Sequence, residues 1–216
     1  MTGLIFDMDE LLIDSRHIWR AAEVRMLAAM GHERTDDLVR RYKGMNARDV
    51  AATAWQLLRP PGSLEHFQRI MRDALMHEFS VADIPPMPGA VDLVRRLRGL
   101  APMAVASGSP AEAIELAMQR LAIRDCFDVI VSSESVERGK PAPDVFLKAA
   151  DCLHADPTRC LVFEDSLHGV RAALAAGMKV FAVPTLAADQ IARLATRTFR
   201  SLAEVTRADV EQAILP

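Results

Sequence analysis

The sequence predicts an α/β protein, a doubly wound parallel sheet with an all-helical segment inserted after its first strand, and three observations carry the prediction. From Pro102 onward the apolar runs PMAVAS, FDVIVS, CLVFED and KVFAVP alternate with helical patterns, as in a parallel sheet covered on both faces. Residues from about Ser15 to Val81 show helical spacing with no strand pattern among them. The linker DIPPMPGA then breaks all regularity. The expected organisation is a core of residues 1–14 and 82–216 with a helical insertion of residues 15–81.

Taken in order, TGLIFD reads as a short buried strand. Ile18, Trp19, Ala22, Met26 and Ala29 recur at helical spacing until Gly31 stops the helix. Asn46 with Asp49 three residues later marks a helix start before ARDVAATAWQLL. After the break RPPGS, the stripe Phe67, Ile70, Met71, Ala74 and Phe79 marks another helix. Beyond the linker, AEAIELAMQRL, PDVFLKAADCL and HGVRAALAAG are the crossover helices. The chain carries no internal repeat and no low-complexity segment.

At 216 residues and 50% hydrophobic, the chain can bury a sizeable core, which excludes disordered and disulfide-stapled classes. A net charge of -3 with interspersed signs offers no footprint for nucleic acid or an anionic membrane surface, so the expected partner is a small molecule. No apolar run approaches the ~20 residues of a bilayer span and no signal-peptide pattern precedes the first strand, so the expected compartment is cytoplasmic. Cys126, Cys152 and Cys160 form no CxxC pair and are expected as buried free thiols.

Ligands of open parallel sheets bind beyond the carboxyl ends of the strands. Here those ends are polar: Asp7 and Asp9 after the first strand, Ser107-Gly108-Ser109 after the second, and Glu164 and Asp165 after CLVFED, with Lys140 in the loop after FDVIVS. Four carboxylates gathered on one rim repel one another, and a divalent cation removes the conflict. All-oxygen donors favour Mg²⁺ over zinc or copper, and Mg²⁺ characteristically shares its carboxylates with a substrate phosphate, so the expected substrate is a phosphate ester. Ser109, Pro110 and Glu112 have the spacing of a capping box, which would set Ser107 beside a phosphate-binding helix N-terminus. Each cluster alone has a bland reading as a turn, a cap or a solvated charge. Their occurrence in order, each at the same end of a strand, carries the inference.

These segments resemble the haloacid dehalogenase superfamily of phosphohydrolases, in the branch with a helical cap inserted after the first motif. DMDELLIDS resembles the first motif, VASGS the second, the lysine of RGKPAPDVF the third and VFEDSLHGVRAALAAGM the fourth, and the likeness extends over nearly the whole chain. DMD-x-LLIDS followed by a tryptophan is similar to bacterial hexitol and 2-deoxyglucose 6-phosphate phosphatases. The resemblance implies a Rossmann-like core and a Mg²⁺-dependent phosphatase acting on a small phosphorylated metabolite. Asp7 would be the nucleophile and Asp9 the general acid and base. Mg²⁺ would be held by the Asp7 carboxylate, the Asp9 carbonyl and Asp165, with Glu164 nearby. Ser107, Gly108, Ser109 and Lys140 would bind the transferring phosphoryl group, and Lys43, Arg48 and Trp19 would face substrate from the cap. A monomer or weak dimer is expected.

One residue departs from the pattern: Glu10 follows the second aspartate where the family has glycine. The expectation is altered backbone angles or a shifted loop, with the carboxylate facing solvent or, as the alternative, reaching the substrate pocket and disfavouring anionic substrates. Among alternatives, a dehalogenase would lack Asp9, and a phosphonate hydrolase would need a cap lysine as Schiff-base former, for which Lys43 is the sole candidate. A phosphoacceptor signalling domain would lack the helical insertion and the late ED pair. A mutase of the β-phosphoglucomutase type would have a histidine where Trp19 stands, and His17 points to another side of that helix. His32, His66, His77, His154 and His168 are expected as surface or capping residues.

Overall fold

In a computed structural model that describes residues 1–215, the first strand, β1 (Gly3–Phe6), forms the middle of a wholly parallel sheet. β2 (Met103–Ser107) and then β3 (Val129–Ser132) lie to one side. β4 (Cys160–Glu164), β5 (Lys179–Ala182) and the two-residue β6 (Arg197–Thr198) lie to the other. The strand order 3-2-1-4-5-6 reverses direction between β1 and β4, where Phe6 is registered against Phe163. A sheet of this kind opens its ligand crevice at that reversal, beyond the carboxyl ends. Asp7 follows β1 there, and its amide donates to the Phe163 carbonyl at 3.0 Å.

Side chains alternate between the faces of β1. Leu4 and Phe6 join one hydrophobic cluster with α5 (Ala90–Leu97), α6 (Ala111–Arg120) and α10 (Arg207–Ile214). Ile5 joins the other with α7 (Asp144–Cys152), α8 (Leu167–Ala175) and α9 (Ala188–Ala192). At the centre of the first cluster the Phe6 and Phe163 rings stack at 4.4 Å, and Phe181 meets Phe163 edge-on at 5.9 Å.

Between β1 and the linker, α1 (Arg16–Ala29), α2 (Asp36–Tyr42), α3 (Ala47–Leu58) and α4 (Leu64–Val81) cover the crevice. The apolar stripes anticipated on them are buried. Ile18, Ala22 and Met26 of α1 and Phe67, Met71, Ala74 and Phe79 of α4 join the cluster that contains Leu11, Leu12 and Ile13. The starts are capped as the sequence indicates, with Asn46 accepting from the Asp49 amide and Ser63 from that of His66. Cys126 and Cys160 are buried, but Cys152 is exposed, because it ends α7 on the turn facing water. No helix among the described residues is long and apolar enough to cross a membrane. Pro216, the last residue of the expected core, lies outside the described residues.

Replacing Phe163 by alanine removes the ring shared by both aromatic contacts. Phe163→Ala should lower the unfolding free energy by about 3–5 kcal/mol, read from urea denaturation. A loss below ~1 kcal/mol would mean that the strand-centre stack is not a principal packing contact.

Candidate functional site

The floor of the site is a buried ion-paired triad. Lys140, 3% exposed, donates to Asp7 Oδ1 at 2.6 Å and to Glu164 Oε1 at 2.6 Å, with a longer bond to the Ala106 carbonyl at 3.3 Å. The second oxygen of Glu164 accepts from the Asp165 and Ser166 amides at 2.8 Å and from the Ser166 hydroxyl at 3.0 Å. Ser166 is also the N-cap of α8, accepting from the Gly169 amide at 3.0 Å. A Cβ on Gly169 would overlap the Glu164 carboxylate, so only glycine lets the helix start beneath it. Asp165 faces the same space and accepts from Thr185 at 2.7 Å.

One oxygen each of Asp7, Glu164 and Asp165 lie within 4.8 Å of one another, all three residues buried. Burial pushes Asp7 up to about 8 against the lowering pull of Lys140, with Glu164 and Asp9 adding to the rise. Burial likewise holds Asp165 well above the carboxylate range, reinforced by Glu164 and Asp7. Burial by itself would lower Lys140, but its two carboxylate partners outweigh this and hold the ammonium above its ordinary value.

Asp9 is built differently from the cluster. Its carboxylate accepts four neutral donors: Ser15 at 2.7 Å and Trp19 Nε1 at 2.8 Å on one oxygen, Ser107 at 2.9 Å and Ser109 at 2.8 Å on the other. The expected gathering of four carboxylates is therefore three carboxylates plus one turned aside, because the serines and the indole satisfy Asp9 elsewhere. The expected capping box at Ser109 does not form either. The N-cap of α6 is Pro110, which has no side-chain hydroxyl, while Ser109 Oγ is committed to Asp9 and Glu112 bonds Arg72 at 3.0 Å. Ser107 and Ser109 are fully buried, and of this triplet it is Gly108 that lines the cavity.

The cavity above this floor encloses about 350 Å³. Asp7, Asp9, Lys140 and Asp165 form its base, and Trp19 of α1 and Lys43 after α2 are among its walls. Glu10 keeps a glycine-like φ of 60° in place of altered backbone angles, and the residue, 8% exposed, turns its carboxylate into the cavity to pair with Lys43, the alternative to facing water. Arg48 is not among the described residues lining the cavity; it reaches past it to the Glu137 carbonyl at 2.7 Å. His168, expected as a surface or capping residue, bonds the Lys43 carbonyl through Nδ1 at 2.6 Å. His17 Nε2 lies 3.0 Å from the Asp83 carbonyl on the exposed side of α1.

The helices and core are pressed together beside Lys140. Asn46 lies over Gly108 and, with Asp49, over Gly139, where a Cβ would collide with both side chains. Arg72 adds ion pairs to Glu134 at 2.7 Å and Glu112 at 3.0 Å.

Sequence reasoning missed the far wall. Glu23 pairs with Arg34, and Tyr42, 1% exposed, carries a hydroxyl with no partner among the described residues. Burial raises both Glu23 and Tyr42 above their ordinary values. The available signal was Glu23, a charge one turn beyond Trp19 beside the apolar stripe of α1.

The sequence profile of haloacid dehalogenase-like hydrolases matches residues 1–177. Hexitol phosphatase B of Escherichia coli K12 is 34% identical over 217 residues, covering 95% of each chain. Fructose-1-phosphate phosphatase YqaB of the same strain is 33% identical, covering 82% of this chain and 93% of that one. Among solved structures, CbbY of Rhodobacter sphaeroides in complex with phosphate superposes with a TM-score of 0.85 at 25% identity over 98% of this chain and all of its own. β-Phosphoglucomutase of Clostridium difficile shares the fold with a TM-score of 0.86 at 19% identity, covering 99% of this chain and 97% of that one. With the profile spanning most of the chain and full-length relatives above 30% identity, the protein belongs to the haloacid dehalogenase-like hydrolases.

Proposed function

We propose that the protein is a Mg²⁺-dependent phosphatase of small phosphorylated sugars or sugar alcohols, acting through an aspartyl-phosphate on Asp7. The observation that carries the reading is the Asp7 carboxylate at the base of a cavity of about 350 Å³, paired with Lys140 on one oxygen and accepting nothing from the described residues on the other. The named activities of the relatives support the substrate class. We read residues 15–81 as a cap domain on a core of 1–14 and 82–216, the compartment as cytoplasmic on the strength of three free thiols, and the molecule as a monomer or weak dimer.

The donor set fits a hard divalent cation. Burial, with mutual repulsion adding to it, raises Asp7 and Asp165 above their ordinary values, a positive ion relieves that cost, and all the donors are oxygens. Asp7, Asp165 and the Asp9 carbonyl would hold it, while Glu164, bonded at both oxygens, acts mainly by holding Lys140. When bound, the ion supplies charge neutralisation between the nucleophile and the phosphate dianion.

The chain's own groups perform the remaining steps. Asp7 Oδ2 attacks phosphorus, the bond to the ester oxygen breaks, and Lys140 stabilises charge on the transferring oxygens. Asp9 gives a proton to the leaving oxygen, then takes one from the water that cleaves the aspartyl-phosphate. Ser15, Trp19, Ser107 and Ser109 fix the orientation of the ionised Asp9 that takes the proton; when Asp9 carries it, one serine hydroxyl turns from donor to acceptor.

The Trp19 position favours hydrolysis over mutase chemistry. Its indole is a donor only, already given to Asp9, and cannot take a proton from a sugar hydroxyl. His17 is engaged on the exposed side. Water is therefore the acceptor.

Asp7→Asn should fold and lower phosphate release from a panel of phosphorylated metabolites by more than about a thousandfold. Near-normal turnover by that variant, or by wild type in EDTA, would refute the reading. Supplied with a hexose 1-phosphate or 6-phosphate, wild type should yield free phosphate, and rapid isomer formation with little phosphate would assign it to the mutases instead. A third expectation concerns pH. Because Asp7 titrates near 8 when folded against 3.8 as the reference value, its protonated form favours the folded state, and that stabilisation is lost as pH rises through the folded value. In chelator, the melting temperature should fall from about pH 5 to 8, and Mg²⁺ should flatten the decline. A flat or rising profile in chelator would show Asp7 ionised throughout.

A further inference from the structure

We infer that Glu10 determines specificity, restricting the cavity to phosphate esters whose leaving group carries no charge. The inference rests on the phosphatase reading above and names its substrate class more narrowly. Glu10 holds a left-handed φ of 60° that favours glycine, so its side chain is retained against a backbone penalty.

The compensating gain is visible in the charges. Beyond the floor, Arg16, Arg20, Arg34 and Lys43 line the cavity. Left unpartnered, such a set would attract a second phosphate or a carboxylate on the substrate. Three of the four are instead matched to carboxylates: Arg16 to Asp14 at 2.6 Å, Arg34 to Glu23, and Lys43 to Glu10. Arg20 is exposed, where water and salt screen its attraction.

The Glu10–Lys43 pair is the decisive one. It joins the residue after Asp9 to the cap, both side chains are largely removed from water, and both line the cavity with Asp7. A carboxylate brought beside Glu10 meets a like charge and finds Lys43 already neutralised. A hydroxyl meets an acceptor and a donor side by side, which suits a polyol.

Glucitol 6-phosphate and gluconate 6-phosphate test this, because they differ only in a hydroxymethyl or carboxylate group at the far end. Wild type should favour the glucitol ester in kcat/KM. Glu10→Gln frees Lys43 without changing shape and should raise the gluconate-to-glucitol ratio by about tenfold. Adding Lys43→Met should bring the ratio back toward wild type. Glu10→Gly, which relieves the φ constraint, should shift the ratio the same way as Glu10→Gln. Calorimetric binding of both esters to Asp7→Asn, with and without Glu10→Gln, gives the same ratio independently of turnover. If neither ester is hydrolysed but the binding ratio shifts, the phosphatase reading fails and the role of Glu10 stands. A wild type indifferent to the far-end charge, or ratios that stay within about twofold in both measurements, would overturn the role of Glu10.

Discussion

Everything at this site depends on one buried ammonium. Lys140 sits between Asp7 and Glu164, where an unpaired charge of either sign would be costly to bury, and the three groups make one another tolerable. Each comes from a different part of the chain, so the triad exists only when β1, β4 and the loop before α7 are in register. The central place of β1 provides this: pairing with β2 and β4 on its two sides fixes the strand end from which Asp7 projects. The same triad leaves surplus negative charge once Asp165 is added, and that surplus is what a cation would answer.

Around the triad the site divides into two electrostatic regimes. The floor relies on full charges at short range. Asp9 is instead held by hydroxyls and an indole, donors that orient a carboxylate without neutralising it. That separation suits two carboxylates two residues apart to the different tasks proposed for them, nucleophile and proton carrier, through environment alone.

Much of this was legible in the sequence because strand ends are punctuated by chemistry. Asp7, Glu164 and Asp165 fall at predictable ends of apolar runs and Lys140 in the loop that follows another, and a doubly wound order brings these together. The reading failed where a side chain chose between two local partners. The SGSP pattern has the spacing of a capping box, yet the Ser109 hydroxyl goes to Asp9, a contact 100 residues away that outcompetes the helix start. Glu10 was read as solvated because its partner Lys43 lies 33 residues on, in the cap. Tyr42 and Arg34 gave no signal, since their roles arise only from how α1 and α2 meet. The strand β6 is too short for any apolar pattern to announce it.

The contact of Asn46 and Asp49 with Gly139 links two elements that look separable. Gly139 immediately precedes Lys140, and Arg48 holds the Glu137 carbonyl two residues earlier, so the start of α3 forms part of the mould in which the lysine loop is cast. The α1–α4 segment is thus not freely interchangeable with another of similar shape. A chimera that imported a different helix start at 46–49 would disturb the loop that carries the ammonium. The segment just upstream is bound into the same mould, since Gly44 holds a φ of 82° with a Cβ there meeting Ser166 at 2.8 Å, and Tyr42 is buried.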